Sequence, residues 1–178
     1  MERQLIGEIR DGNKDSFRKL YEAYSDGALR TAAGIMRDRE LARDAVQETF
    51  IRVYRNLGSF DTDKPFKPWF YRILVNECNR LLRKQPRVVS LDRVCDEQGH
   101  QIAGKDREDY MDLYDAIQSL KDIYRIPVVL KYLQGFTEKE AAQILETNQN
   151  TVKSRLYKAR EMLRKKLESG EGRVGLGQ

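Results

Sequence analysis

The chain has 178 residues, which is room for one domain or two small ones. Charged residues make up 34% and hydrophobic residues 40%, with a formal net charge of +5 and a mean hydropathy of -0.71, so a wholly disordered chain is excluded. The sequence has no apolar run near the roughly 18 residues of a membrane helix, no apolar signal centre, and too few cysteines and histidines for a metal site; we expect a cytoplasmic protein without cofactors.

The charge is unevenly distributed. Residues 1–85 carry a surplus of +4, residues 86–116 a deficit of -4, and residues 117–178 a surplus of +5. Two basic segments therefore flank an acidic one. A basic surplus fits a polyanionic partner, although solvated surfaces also carry such charge.

The first segment is predicted to form three amphipathic helices around one small core. Asp38 is the expected N-cap of the third helix, and Gly58 follows its expected end. The apolar residues recur at helical spacing in three groups: Phe17, Leu20, Tyr21 and Tyr24; Leu29, Ala32, Ala33 and Met36; Leu41, Ala45, Val46, Thr49, Phe50, Val53 and Tyr54.

A connector rich in turn-forming residues spans 59–65, and a fourth helix is predicted from Pro65 or Phe66 to Lys84, ended by Pro86. From there to about residue 105 the apolar period is lost, which indicates a linker. Helical period returns near Tyr110, and Pro127 predicts a break near Lys121 or a kink. The glycine-rich residues 168–178 are predicted to be disordered.

The carboxyl-terminal half carries a helix-turn-helix pattern. Thr137 and Glu140 form a capping box for a short helix over 138–145, whose Ala141, Ala142 and Leu145 face a partner. A turn through 146–148 precedes a second helix. Its apolar stripe consists of Val152, Leu156, Ala159 and Leu163.

Polar and basic residues cover the other side of that second helix. Between residues 153 and 166 there are seven basic residues against one acidic residue, Glu161. The residues expected away from the stripe or on its flanks are Asn150, Thr151, Lys153, Ser154, Arg155, Tyr157 and Lys158. A solvated basic helix is the plain alternative, but the capping box and the tight turn favour a DNA-reading helix.

An aromatic and basic segment lies in the first half. Phe60, Phe66, Trp69, Phe70 and Tyr71 are interleaved with Lys64, Lys67 and Arg72. Such a segment suits unstacked bases and a single-stranded backbone. Aromatic residues of a helical protein more often fill its core, however, and the 69/73 spacing of Trp69 and Ile73 is typical of core residues.

A third constellation lies on the third helix, where Asp44, Gln47 and Glu48 share a polar side opposite an apolar one. No histidine, nucleophile or glycine-rich loop accompanies these carboxylates, so a surface for a protein partner is a better interpretation than catalysis.

Three motifs in this order resemble the extracytoplasmic-function (ECF) sigma factors of bacterial RNA polymerase. They are 44–50 (DAVQETF), 66–73 (FKPWFYRI) with Asn76, and 151–160 (TVKSRLYKAR). The resemblance spans about residues 10–167. It implies an all-α protein of two small helical domains, a region 2 bundle over 1–85 and a region 4 helix-turn-helix over 110–167, joined by a flexible acidic linker over 86–109 and followed by a tail over 168–178.

The resemblance also implies partners and sites. Core RNA polymerase, promoter DNA and an anti-sigma factor are the expected partners, and the protein is not expected to be an enzyme. The helix over 126–133 would help dock the polymerase beta flap, and the linker would enter the polymerase cleft. For the beta-prime clamp the implied residues are Leu41, Asp44, Gln47, Glu48 and Phe50. For the minus-10 element they are Phe60, Lys64, Phe66, Trp69, Asn76, Asn79, Arg80 and Arg83. For the minus-35 element they are Asn150, Thr151, Lys153, Ser154, Arg155, Tyr157 and Lys158.

Two positions depart from the family pattern. Leu120-Lys121 replaces the usual Leu-Pro pair, and Glu146-Thr147 stands where the turn between the last two helices usually has a glycine and an apolar residue. If that turn requires a positive φ, Asn148 tolerates it better than Glu146 does.

Two other classes of protein compete with this interpretation. A stand-alone helix-turn-helix regulator would bind duplex DNA without polymerase and would use the first half as a sensor or dimerisation domain. A nucleic-acid-processing enzyme would require a metal or nucleophile cluster that the sequence does not offer. Cys95 and His100 alone do not make a zinc site, and the helical position of Cys78 favours packing.

Overall fold

The computed structural model describes residues 2–84 and 113–171, with side chains to residue 168. The predicted linker over 86–109, with Cys95 and His100, lies outside these ranges. The described residues form helices joined by turns, without a strand: α1 (Glu2–Arg10), α2 (Lys14–Met36), α3 (Arg39–Asn56), α4 (Phe66–Lys84), α5 (113–119), α6 (Asp122–Val128), α7 (Glu138–Ile144) and α8 (Gln149–Glu171). A 3-10 turn, Leu57–Ser59, follows α3, and a π-helical turn, Val129–Leu133, follows α6.

The first two predicted helices are in fact one. α2 runs unbroken through Gly27, and its buried residues, such as Leu20 and Ile35, lie at both ends of the same face. A glycine within a helix costs about 1 kcal/mol relative to alanine, and the tertiary contacts of this long face outweigh that cost. The helix begins at Asn13, whose Oδ1 accepts from the amides of Asp15 and Ser16.

α1 was not predicted from the sequence, yet it completes the bundle. Ile6 and Ile9 are buried against the other helices. Nine residues make a marginal helix by themselves, so α1 depends on this packing. Its position beside the loop after α3 is important for the site described below.

The predictions for α3 and α4 are confirmed. The Asp38 carboxylate accepts a hydrogen bond from the amide of Leu41 at 3.0 Å and caps α3, which ends just before the turn that contains Gly58. α4 starts at Phe66 and is helical through Lys84. Aromatic rings fill the space between these helices and α2: Tyr24, Phe50, Phe66 and Phe70 pack in tilted or edge-on pairs.

The helical structure is interrupted near Lys121, as predicted. α5 ends at residue 119, Lys121 is extended, and α6 begins at Asp122. Pro127 lies inside α6, where it has no amide to donate to the helix, and the five residues after α6, Val129–Leu133, adopt the wider π spacing. At the other end α8 continues through Glu171, so the predicted tail starts too early, at residue 168.

The carboxyl-terminal half packs directly on α2. At Gly34 a Cβ would stand 3.2 Å from a methyl carbon of Val129, so the missing side chain lets the π-helical turn approach α2 closely. Gln118 donates to the Gly34 carbonyl at 3.1 Å, and Arg125 donates to the Ile35 carbonyl from Nε at 3.1 Å and Nη2 at 2.7 Å. These carbonyls end α2 and have no partner within the helix, so the second half caps the first.

Candidate nucleic-acid interface

The exposed side of α8 has the polar composition predicted from the sequence. Val152, Leu156 and Ala159 are buried, whereas Tyr157 is 58% exposed. The predicted minus-35 residues all lie on the exposed or partly exposed side: Asn150, Thr151, Lys153, Ser154, Arg155, Tyr157 and Lys158. Amide, hydroxyl and cationic groups therefore project together from the amino-terminal half of one helix. Such groups can bind base edges and phosphates.

The helix before it is held by the predicted capping box. Thr137 Oγ1 accepts from the amide of Glu140 at 3.2 Å, and the Glu140 carboxylate accepts from the amide of Thr137 at 2.8 Å. The Thr137 hydroxyl also donates to the Glu140 carboxylate at 2.7 Å, and this bond, with the one from the Thr137 amide, holds the pKa of Glu140 below its ordinary value. The box fixes the start of α7, which packs on α8 through Ala141 and Ala142. Ile144, and not the predicted Leu145, is the fully buried residue at its end.

The turn between α7 and α8 differs from the sequence-based expectation in which residue has a positive φ. Glu146 has a φ of 51°, so the left-handed position falls on Glu146 and not on Asn148. Asn148 has a different task, because its Oδ1 accepts from the amide of Thr151 at 2.7 Å and caps α8. The capping role needs an extended backbone at Asn148, which leaves the preceding Glu146 to reverse the chain.

A second polar surface surrounds a cavity of about 820 Å³ between α3, α4 and the loop over 59–65. Trp69, Ile73 and Asn76 project into it from one side of α4. Arg52 and Asn56 of α3 line it from the opposite side. The pocket thus combines an aromatic face, amides and cations, which suits an unstacked base and its phosphate.

The loop at the rim of this cavity is anchored by α1. Arg3 donates to the Thr62 carbonyl at 2.9 Å and pairs with Asp63, and Arg10 donates to the carbonyl oxygens of Leu57 and Phe60. The loop is therefore positioned by guanidinium groups that lie some fifty to sixty residues earlier. Sequence reasoning missed both arginines, because nothing in their local pattern refers to the loop.

The predicted minus-10 residues divide into two groups. Phe60 and Phe66 are 6% and 2% exposed and pack on Trp69, so both support that side chain; Phe60 also forms part of the cavity lining, whereas Phe66 does not. The remaining predicted residues are exposed or partly exposed: Lys64, Trp69, Asn76, Asn79, Arg80 and Arg83. Trp69 is therefore a pocket residue more than the core residue that its spacing with Ile73 indicated.

Glu77 is a functional candidate that the sequence reasoning did not name. It lies on α4 next to Asn76, is 2% exposed, and lines the same cavity. One of its carboxylate oxygens binds Arg52 Nε at 2.7 Å, and the other binds Arg80 Nε at 2.7 Å. Only the fold reveals this arrangement, since Arg52 belongs to a different helix.

The predicted polymerase-binding residues lie along α3. Asp44 and Gln47 are exposed, and Leu41 and Glu48 are partly exposed, whereas Phe50 is 4% exposed. Beside them a groove of about 980 Å³ runs between α2 and α3. Apolar side chains dominate its lining: Phe17, Tyr21, Leu29, Val46, Phe50, Ile51 and Tyr54. A groove of this kind, next to carboxylates, fits a helix of a protein partner.

α7 and the turn after it contact the cavity side of α4. Gln143 of α7 lines the cavity at α4, and Arg72 forms an ion pair with Glu146. Farther along, Gln134 accepts from Tyr71 at 2.7 Å and donates to the Gly27 carbonyl at 3.1 Å. The segment over 126–133 packs on α2 here, with Ile126 and Leu130 buried.

The described residues also bear on metal binding, membrane-spanning helices and the Cys78 thiol. They hold no group of three or more His, Cys, Asp and Glu side chains placed to bind a metal ion, and no helix long and apolar enough to span a membrane. Cys78 is fully buried, and burial together with nearby Glu77 raises the pKa of its thiol to about 12. Its role is packing, as predicted.

Known proteins match both halves of the chain. The family Sigma-70 region 2 matches residues 20–88, and the family Sigma-70, region 4 matches residues 110–163. The ECF RNA polymerase sigma factor SigW of Bacillus subtilis is 30% identical, over 94% of this chain and 97% of its own. The RNA polymerase sigma-H factor of Pseudomonas aeruginosa is 29% identical, over 94% of each chain.

Solved structures share the fold. CnrH in complex with the cytosolic domain of CnrY superposes with a TM-score of 0.73 at 24% identity, covering 94% of this chain and 97% of that one. The sigma factor RpoE bound to the anti-sigma factor NepR, from Bartonella quintana, gives a TM-score of 0.72 at 24% identity and covers 88% and 98%. The two matched regions in order, with a relative of nearly equal length, show that this chain belongs to the ECF family of RNA polymerase sigma factors.

Proposed function

We propose that this sigma factor directs core RNA polymerase to promoters through three separate surfaces. The exposed side of α8 reads the minus-35 element in the major groove, the α3–α4 cavity receives an unpaired base of the minus-10 element, and the α2–α3 groove with Asp44 binds the polymerase clamp. The observation that carries this proposal is the cavity, where Trp69, Asn76 and two arginine-bearing helices meet behind an anchored loop. A regulator of duplex DNA has no need of such a pocket.

Strand opening follows from binding energy, without a catalytic group. Unpairing and unstacking a base costs a few kcal/mol, and capture of that base against an aromatic face offsets about 1–3 kcal/mol. Trp69 supplies the face, held in place by Phe60 and Phe66 at ring distances of 4.6 and 5.6 Å. The protein acts as a cytoplasmic initiation factor and not as an enzyme.

An anti-sigma factor completes the proposal. Two proteins of the same fold are described in complex with such a partner or with a cytosolic domain. In the present chain α7 already lies over the cavity, since Gln143 lines it and Glu146 pairs with Arg72. A partner that binds both halves in this arrangement would keep the strand out, and release would let α7 move away.

Within α8 we expect cationic and neutral residues to have different effects. Lys153→Ala should weaken binding to all promoters and lower the salt dependence by about one phosphate contact, because a point charge binds the backbone. Asn150→Ala and Ser154→Ala should weaken the preferred promoters by about 1–3 kcal/mol and others little, because these groups can hydrogen-bond to base edges. The measurement is binding of reconstituted holoenzyme to promoter fragments at several salt concentrations.

The control is Lys139→Ala, which removes one exposed cation from α7. It should leave promoter choice unchanged. Equal losses for Lys153, Asn150 and Ser154 variants on every DNA would contradict the division of roles along α8.

A further inference from the structure

Glu77 is a buried carboxylate in the wall of a cavity that is otherwise lined by cations, amides, a hydroxyl and apolar side chains, with one further carboxylate, Asp61, on the exposed loop. The two oxygens of Glu77 are both occupied, one by Arg52 of α3 and one by Arg80 of α4, each through Nε at 2.7 Å. An acidic residue near DNA normally repels the backbone, so its presence in this cavity requires an explanation. Burial without partners would be strongly unfavourable, and the two guanidinium groups provide them.

The geometry of the two ion pairs leaves the outer part of each arginine available. Both contacts use Nε, so the terminal Nη groups are not the atoms that hold Glu77. The arginine side chains remain 44% and 37% exposed, while the Glu77 side chain is 3% exposed. The carboxylate is thus sealed beneath two guanidinium groups that themselves reach solvent.

Arg52 is shared between two carboxylates. Its Nε donates a hydrogen bond to Glu48 Oε1 at 3.2 Å and forms an ion pair with Glu77 Oε1 at 2.7 Å, and the Glu48 side chain is 34% exposed whereas that of Glu77 is 3% exposed. Arg80 belongs to the same helix as Glu77, at a separation of three residues. Glu77 therefore joins Arg52 of α3, which lines the cavity, to Arg80 of α4, which lies outside its lining.

We propose that Glu77 is a positioning residue of the minus-10 pocket, which orders Arg52 and Arg80 so that their outer edges bind phosphates of the opened strand while the base enters beside Trp69 and Asn76. This inference rests on the proposed function of the cavity. A long side chain loses rotamer freedom when it binds a ligand, and fixing it beforehand removes that cost from the binding step. Bidentate arginine–phosphate pairing also needs a defined guanidinium orientation.

A positioning role and a purely electrostatic role of Glu77 lead to opposite expected effects of Glu77→Gln on the interaction with promoter DNA. Glu77→Gln removes one negative charge next to the DNA, so charge alone would strengthen DNA binding. Loss of positioning should instead reduce strand opening by about tenfold, the size of one charge-assisted hydrogen bond, because Arg80 loses its carboxylate partner and Arg52 keeps only Glu48. Binding of closed duplex, which depends on α8, should stay within about twofold of the unchanged protein.

The test uses holoenzyme assembled from core polymerase and the full chain. The probe is the promoter fragment that the unchanged holoenzyme transcribes most strongly from a genomic library, and permanganate reactivity of unpaired thymines measures opening. The control is Glu22→Gln, which removes an equally negative side chain that is 66% exposed and pairs with Arg18 at 3.9 Å. Opening by the control should equal that of the unchanged protein.

If Glu77→Gln destabilises the fold, Arg52→Lys and Arg80→Lys test the positioning role through the same measurement of strand opening. Each keeps the cation but loses the Nε contact, so opening should fall while the salt dependence of binding stays the same. Unchanged or stronger opening in folded Glu77→Gln, or in both lysine variants, would overturn the positioning role. If the unchanged holoenzyme opens no promoter, the proposed function itself fails, which is a different result.

Discussion

Replacement of Arg125 by alanine is expected to lower the free energy of unfolding by about 3 kcal/mol. The guanidinium is 1% exposed and donates to the Ile35 carbonyl twice, to the Leu120 carbonyl at 2.7 Å, and to Asp122 at 2.6 Å. Alanine would leave the carbonyl end of α2 without these donors and would open a cavity at the contact between the two halves. Urea unfolding followed by circular dichroism measures the change.

Two further variants separate the loss of hydrogen bonds at Arg125 from the loss of packing and from the loss of an arginine in general. Arg125→Met keeps much of the volume and should recover only the packing part of the loss. Arg164→Ala removes an exposed arginine whose contact with Glu168 is 3.7 Å long, and it should cost well under 1 kcal/mol. A loss below about 1 kcal/mol for Arg125→Ala would show that the carbonyl end of α2 is satisfied without the second half.

Reversal of charge at Asp44 is expected to weaken binding to core polymerase by at least about tenfold, with the fold unchanged. Asp44 is exposed on α3, beside Gln47 and the apolar groove that contains Phe50. An arginine there would place a cation against whatever cationic or apolar surface the carboxylate meets. Pull-down of purified core polymerase by the full chain is the measurement, with circular dichroism to check helicity.

The matched control is Asp115→Arg on α5, which makes the same charge change at an exposed position of the other half. It should leave the pull-down intact. Retention of polymerase by Asp44→Arg, under conditions where the unchanged chain is also retained, would refute the assignment of this surface to the clamp.

The sequence predicted those elements whose signals are local. The Asp38 cap, the capping box of Thr137 and Glu140, and the bounds of α4 each depend on residues within a few positions, and the structure confirms them. The apolar stripe of α8 was equally plain, because a period of 3.6 over one long helix leaves little choice of buried side.

The sequence did not predict features that depend on contacts between distant segments. α1 is short and stable only through packing, and the role of Gly27 within α2 is close approach: a Cβ there would stand 2.8 Å from Tyr71 Oη. The Glu77 pairing joins two helices, and the Arg125 contacts join residues ninety positions apart. Local periodicity contains no information on either.

The positive φ at Glu146 illustrates a conflict between neighbours. Intrinsic preference favours Asn148 for the left-handed position, yet the asparagine is worth more as the cap of α8. Competition between two roles for one residue can be resolved only by the geometry of both helices.

Promoter selection by this chain can be measured by run-off transcription with purified core polymerase on a genomic promoter library. We expect discrete transcripts that appear only when the chain is added, from promoters with a shared pair of elements, and their loss when Trp69 is replaced by alanine. If core polymerase with the chain gave no more transcripts than core polymerase alone, while the isolated chain bound duplex DNA tightly without polymerase, the chain would be a regulator of duplex DNA and not a promoter-selecting subunit.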